Sequence, residues 1–252
     1  MNPVLELEEV AFRCWPAAEV EEHGGWRFRA TGSVTRRVNS VWPNRSTGDE
    51  PLLARIERAE AFYRSRGLPP AFQITSVCLP ADLDSTLAER GYRVTAPTSV
   101  QAVTFEAFRM AGQPPQIQTS VLPSPGDEWM SLSADRGRFA DTRDVYAGIL
   151  TRIGARGGFA LAKWKGKPIA VGIGVVDGDF LGIFGMLTMP EARRRRAATA
   201  ILGALVGFGA ARGATRAFLQ VESGNEGARA LYAAAGFRPS HDYHYRVLAQ
   251  SA

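Results

Sequence analysis

Apolar residues at Ile201, Leu202, Leu205, Val206 and Phe208 recur with the period of a helix and mark one buried face. The preceding stretch, GGFALAKWKGKPIAVGIGVVDGDFLGIFGMLTM over 157–189, is apolar with brief polar interruptions. Its Lys165-Gly166 and Asp177-Gly178 pairs are turn signals, so it reads as hairpin-connected strands. The same reading predicts a helix near residues 4–14, strands around 24–31 and 36–43, and a helix over 51–66. A strand at 71–77, a helix at 81–90 and a strand at 92–106 follow. Beyond them, helices near 125–135 and 141–153 precede the hairpins. A helix over 194–211, a strand over 217–222, a helix over 225–235 and a final strand end the chain. The segment AGQPPQIQTSVLPSPGDE, 111–128, is rich in proline and lacks a period, and reads as a linker.

The two sides of that linker echo each other. Pro43, Arg66-Gly67, Ala71-Phe72 and Gly91-Tyr92-Arg93 have counterparts in Pro190, Arg212-Gly213, Ala217-Phe218 and Gly236-Phe237-Arg238. Their offsets are 147, 146, 146 and 145 residues. Such a register predicts two copies of one α/β unit, at residues 1–110 and 118–252.

Composition narrows the function. The chain has 252 residues, 45% of them hydrophobic, enough for a core in each half. A formal charge of +5, carried mostly by arginine, favours anionic partners with phosphate oxygens. Acidic residues are spread throughout and no nucleic-acid module is visible, so nucleic acid is not the expected partner. Cys14 and Cys78 lack metal-ligand spacing and read as idle thiols. An acidic start, MNPVLELEEV, and the lack of an apolar run near ~20 residues predict a cytoplasmic protein without a membrane segment.

Candidate chemistry gathers in the second copy. Pro190-Glu191-Ala192-Arg193-Arg194-Arg195-Arg196-Ala197-Ala198 joins a strand to a helix, where free N–H groups and the helix dipole attract anions. Read alone, the four arginines fit a solvated basic helix end as well as an anion seat. Further on, VESGNEGARALYAAAGFRP places Asn225 at an N-cap and Gly236 past a helix end, with Tyr232 between them. Singly, Asn225 reads as a cap and Tyr232 as a packed aromatic.

Together these stretches resemble the GNAT superfamily of acyl-CoA-dependent N-acyltransferases over residues 118–252. The family's Arg/Gln-x-x-Gly-x-Gly/Ala motif is matched from Arg193 to Ala198, with Arg196 standing where the family has its first glycine. Its Asn-x-x-Ala-x-x-Leu-Tyr-x-x-x-Gly-Phe motif is complete as Asn225, Ala228, Leu231, Tyr232, Gly236 and Phe237. The resemblance implies an α/β fold with a mixed, mostly antiparallel sheet flanked by helices, in two tandem copies. It implies an N-acetyltransferase with acetyl-CoA as co-substrate and no metal, acting on a primary amine of a small molecule or peptide. A monomer or homodimer is expected.

Site residues follow from the same resemblance. Met186, Leu187 and Thr188 would pair with the pantetheine arm. N–H groups of Arg194, Arg195, Arg196, Ala197, Ala198 and Thr199 would bind the pyrophosphate, aided by the Arg193 side chain. Asn225 and Ala228 would border the pantetheine, and Arg229 the nucleotide end. Tyr232 would protonate the leaving thiolate as general acid. Glu222, with Gln220 on its face of the strand, is the candidate base; a surface ion pair has an equal claim on it. His241 and His244 are reserve candidates. In the first copy Leu87 stands where Tyr232 does, and NRSTGDEPLLARIERAE lacks a phosphate turn, so that half is expected to be degenerate. Arg37 and Asn39 read as ordinary polar groups, with the acceptor pocket as the other assignment. An acyl-CoA sensor or scaffold without transfer is the alternative function.

Overall fold

The computed structural model describes residues 2–109, 112, 114, 116–135 and 139–249. Helix α1 (Pro3–Cys14) opens the chain, capped by Asn2, whose side chain accepts from the Val4 N–H at 2.9 Å. Strands β1 (Glu19–His23), β2 (Trp26–Ala30) and β3 (Val41–Trp42) lead to α2 (Leu52–Arg64), β4 (Ala71–Ile74), α3 (Leu83–Glu89) and β5 (Arg93–Thr104). Strand β6 (Ile117–Leu122), α4 (Asp127–Met130) and α5 (Arg143–Ile153) connect to a second series. That series is β7 (Gly157–Trp164), β8 (Lys167–Asp177), β9 (Phe180–Thr188), α6 (Ala197–Ala210), β10 (Arg216–Glu222), α7 (Glu226–Ala234) and β11 (Arg238–Val247). From β1 to β5 and from β7 to β11 the order of elements is the same.

All eleven strands form one sheet, in the order β1-β2-β3-β4-β11-β5-β10-β9-β8-β7-β6. Two neighbouring pairs are parallel, β3 with β4 and β9 with β10, each joined by a crossover helix; the others are antiparallel. The last strand of each series sits beside the other series. Strand β11 runs between β4 and β5, and β5 pairs with β10 along its whole length, from Arg216↔Thr104 to Glu222↔Thr98. The centre of the sheet is thus an exchange of strands.

Helices α1, α4 and α5 cover one face, burying Leu7, Val10, Trp15, Trp129, Tyr146 and Ile149 against Val171, Ile173, Phe184 and Tyr243. On the other face α2 and α3 pack Ile56, Tyr63, Leu83 and Leu87 onto Trp26, Phe28 and Phe72. There α6 and α7 bury Ile201, Leu205 and Tyr232 over Ala170, Leu181 and Leu219. Helix α6 lies close to the sheet because Gly172 has no side chain: a Cβ there would stand 2.7 Å from Ile201 Cγ2.

Helix α1 fastens both series together. Glu9 takes Arg27 of β2 at 2.7 Å, while Arg13 reaches Asp177 at the end of β8 at 2.7 Å. Buried Glu8 accepts from Gln73 of β4 at 2.8 Å and contacts His241 of β11 at 2.8 Å, pinning the exchanged strand. Both cysteines are free, and burial pushes the Cys14 thiol up to about 12 and Cys78 up to about 11, so neither is a nucleophile near neutrality.

Several boundaries differ from the sequence expectation. The linker region contains β6, an edge strand whose partly covered Thr119, Val121 and Leu122 give too weak an alternation to register; residues 110, 111, 113 and 115 lie outside the described part. Strand β1, EVEEH, is acidic, as suits an exposed edge, and carries no apolar signal. Only Val41–Trp42 of the expected 36–43 strand is extended, after a 3₁₀ turn at Arg36–Val38. The helix expected over 125–135 is α4 followed by a wide π turn, Ser131–Asp135. Among the described residues no helix is long and apolar enough to cross a membrane.

Candidate active site

Strands β9 and β10 stay paired only from Arg216↔Phe180 to Leu219↔Ile183. Beyond that point they diverge. The cause is in β9: Val171 and Ile173 of β8 face Leu187 and Phe184, so β9 carries one extra residue there. Gly185, at φ 58°, takes the left-handed conformation within this bulge. The gap is a cavity of about 360 Å³ that passes through the sheet. Its walls are the freed edges, Phe184–Leu187 on one side and Gln220–Glu222 on the other. Because β10 is paired with β5 on its far side, only its cavity edge is open.

On one face of the sheet α7 lays Asn225, Ala228 and Tyr232 along the opening, at the i, i+3, i+7 spacing of a single helix stripe. The Asn225 carboxamide oxygen accepts from the Ala228 N–H at 3.1 Å, capping α7 at the cavity edge. Tyr232 is buried against Phe237, ring centroids 6.0 Å apart. Burial pushes its hydroxyl up to about 12, with Arg37 pulling slightly the other way. The phenol therefore holds its proton throughout the neutral range.

On the other face stand Ser133, Phe139 and Arg37. Ser133 is presented by the π turn and hydrogen-bonds the Tyr146 hydroxyl at 3.0 Å; Phe139 stacks on that ring at 4.1 Å. Arg37 comes from the turn before β3, in the first series. Its Nε is buried with no hydrogen-bond partner, and no carboxylate lies within ion-pair distance among the described residues. Burial opposes its charge, and Tyr243, Tyr245 and Glu222 more than offset that, holding the guanidinium above its usual range. Glu222 sits at the exposed rim, likewise without an ion pair among the described residues.

Past β9 the chain makes a short 3₁₀ turn, Pro190–Ala192, and then runs through the four exposed arginines. Helix α6 begins at Ala197, not at 194 as the apolar pattern predicts, because Arg194 at φ 60° and Arg196 at φ 63° are both left-handed. Arg196 takes the backbone conformation that a glycine adopts freely. Among the described residues, the N–H groups from Arg194 to Thr199 meet no acceptor. Left-handed residues next to a helix start turn successive N–H groups into one concavity, a nest for an anion. Arg195 lies over the Trp164 ring, 4.3 Å from its centroid, and Lys165 is 4.9 Å from the same centroid.

That conformation has a measurable cost. An L-residue in the left-handed region is disfavoured by roughly 1–2 kcal/mol, of which glycine's extra freedom when unfolded takes back about half. R196G is expected to raise the unfolding free energy by about 0.5–1 kcal/mol in urea titration. A lower midpoint in that variant would contradict the left-handed turn.

Other sequence candidates sit elsewhere. Thr188 pairs with Ala170 just beyond the cavity. Arg229 is exposed, donating to the Ser223 carbonyl at 3.2 Å, outside the cavity wall. His241 is committed to Glu8, and His244 to Asp84 at 3.0 Å; neither lines the cavity. Asn39 holds its own turn, its carboxamide accepting from the Thr31 N–H at 2.8 Å and donating to the Thr35 carbonyl at 2.9 Å. Leu87, fully buried under α3, is a core residue. Arg37, which the sequence left between an ordinary polar group and the acceptor pocket, lines the wall, and Ser133 and Phe139 are wall residues that the sequence did not point to.

Over residues 3–246 the chain matches the family model described as the C-terminal region of the probable histone acetyltransferase Rv0428c. It is 30% identical over 250 residues to the uncharacterized N-acetyltransferase YobR of Bacillus subtilis, covering 98% of this chain and 99% of that one. A GCN5-related N-acetyltransferase from Kribbella flavida superposes with a TM-score of 0.71 at 16% identity, over 93% of this chain and 91% of that one. A tandem GNAT protein from the clavulanic acid biosynthesis pathway superposes with a TM-score of 0.64 at 14% identity, over 84% and 76% of the two chains.

Proposed function

Since the chain belongs to this family of GNAT N-acetyltransferases, we propose that it moves an acetyl group from acetyl-CoA to a primary amine by direct attack in a ternary complex. The observation that carries this reading is the left-handed arginine turn with its unclaimed N–H groups, set at the end of a strand whose inner edge is also unclaimed. One end suits phosphates; the other suits an amide-bearing arm that adds to β9 as a strand would.

In this reading Met186, Leu187 and Thr188 pair with pantetheine, and the N–H groups from Arg194 to Thr199 take the pyrophosphate. The exposed Arg193 side chain adds charge, Asn225 and Ala228 border the arm, and exposed Arg229 serves the nucleotide end. Backbone amides near Met186 polarise the thioester carbonyl. Glu222, at the rim, takes the proton of the incoming ammonium. Tyr232 supplies hydrogen bonding and a proton to the leaving sulfur. No covalent intermediate on the protein is needed. Residues 1–110 act as a copy that has lost its own cofactor seat and contributes one wall of the acceptor pocket.

The test is calorimetric titration with acetyl-CoA of the wild type, R193A and N225A. Binding that weakens with added salt and falls in both variants supports the reading, since phosphate contacts are screened. Neither heat nor a thermal shift in the wild type would remove it. Binding without turnover on any amine would favour the sensor reading instead.

A further inference from the structure

Arg37 is a half-buried cation whose Nε is buried and unpartnered, with no counter-ion in ion-pair reach among the described residues, and it stands on the cavity face opposite the arginine turn. Two other inward arginines show what a structural role looks like here. Arg29 donates to the Ser40 carbonyl, the Ser40 hydroxyl at 2.7 Å and the Gln73 side chain at 2.8 Å. Arg27 is shared between Glu9 and Glu22. Arg37 has the Tyr243 hydroxyl beside it but no carboxylate in ion-pair reach among the described residues, and a partly buried charge left so is costly unless something completes it. On the same face Gln220 and Glu222 point into the cavity, and the Glu222 carboxylate stays apart from Arg37. Among the described residues the wall therefore offers an anion site at Arg37 and a cation site at Glu222 on the rim.

Resting on the acetyl-transfer reading above, we infer that the acceptor is a small zwitterion, an amino acid whose carboxylate is bound by Arg37 while its ammonium faces Glu222. A guanidinium fork matches a carboxylate with two parallel hydrogen bonds. The cavity of about 360 Å³ must also hold the thioester end, which leaves room for a single amino acid. A basic lysine-bearing tail would set further cations against Arg37, which disfavours it.

The experiment compares acetyl-CoA turnover on a mixture of the proteinogenic L-amino acids with turnover on their carboxamides and on a lysine-rich basic peptide. Wild type, R37Q and R37K are used, each first checked for an unchanged thermal midpoint. The free acids are expected to be preferred by about 10- to 100-fold in kcat/KM, with the preference lost in R37Q and partly kept in R37K. Equal use of acids and amides, better use of the basic peptide, or a preference that survives R37Q would overturn the inference. Saturation-transfer NMR with the amino-acid mixture and CoA gives a second readout, independent of turnover. Signals present in the wild type and absent in R37Q support the Arg37 site; no signals in the wild type overturn it. Loss of acetyl-CoA binding in calorimetry counts against the transferase reading alone.

Discussion

Replacing Tyr232 with phenylalanine is expected to slow acetyl transfer by about 10²- to 10³-fold while acetyl-CoA affinity changes little. The ring that packs on Phe237 and closes the cavity is kept, and only the hydroxyl is removed. Its magnitude follows from the proton's position. Burial holds the phenol up to about 12, whereas an alkyl thiol sits near ~8.5. Complete transfer to the thiolate would be uphill, so in the proposed reaction the hydroxyl would act mostly as a hydrogen-bond donor while charge grows on sulfur, toward the lower end of general-acid effects. The same displacement fixes the pH profile. The phenol is raised, so its proton is present below that value and lost only above it; Tyr232 creates no alkaline fall in kcat below about pH 10. The Y232F profile should keep the wild-type shape at a lower plateau. A rate within twofold of wild type would remove Tyr232 from the reaction.

Residues 118–252 produced alone are expected not to form a folded monomer. Their removal from residues 1–110 deletes β5, which pairs with both β10 and β11, and β4, the other neighbour of β11. It also removes α1 and the Trp15 that follows it, with Leu7, Val10, Cys14 and Trp15 almost fully buried in the core that β8 and β9 share. At roughly 1.5–3 kcal/mol for each large apolar side chain, losing α1 alone matches a typical domain's whole stability of about 5–15 kcal/mol. Far-UV circular dichroism, a thermal melt and size exclusion would check this. A cooperative melt of a monomer would mean that β11 can fold back onto β10 and that the exchange is dispensable. Separately made 1–110 and 111–252 are expected to regain a cooperative transition when mixed.

How much of this was legible in the sequence depends on what each residue's neighbours are. Helices α2, α6 and α7 and strands β7 to β10 follow from apolar periods, because each buries one face against a sheet close by in sequence. The α7 stripe was legible for the same reason: Asn225, Ala228 and Tyr232 share a helix, and spacing alone aligns them. Edge strands β1 and β6 were not, since solvent on one side erases the alternation. Arg37 was left between an ordinary polar group and a pocket residue for a different reason. Nothing local marks Thr35-Arg36-Arg37-Val38 as part of a site near Tyr232; the strand exchange brings them together from 195 residues away. The start of α6 was misplaced because the apolar pattern cannot reveal that Arg194 and Arg196 turn left-handed.

The exchange of β5 and β11 also sets a timetable for biosynthesis. When β4 leaves the ribosome, its final neighbour is still some 170 residues from being made, as β11 ends at Val247. At about 5–20 residues per second, the edge Ala71–Ile74 waits roughly ten to thirty seconds for its partner. During that interval the nascent first half holds an open strand edge over a finished apolar layer, which is the surface that holding chaperones bind. The cavity wall containing Arg37 is completed only when β11 arrives.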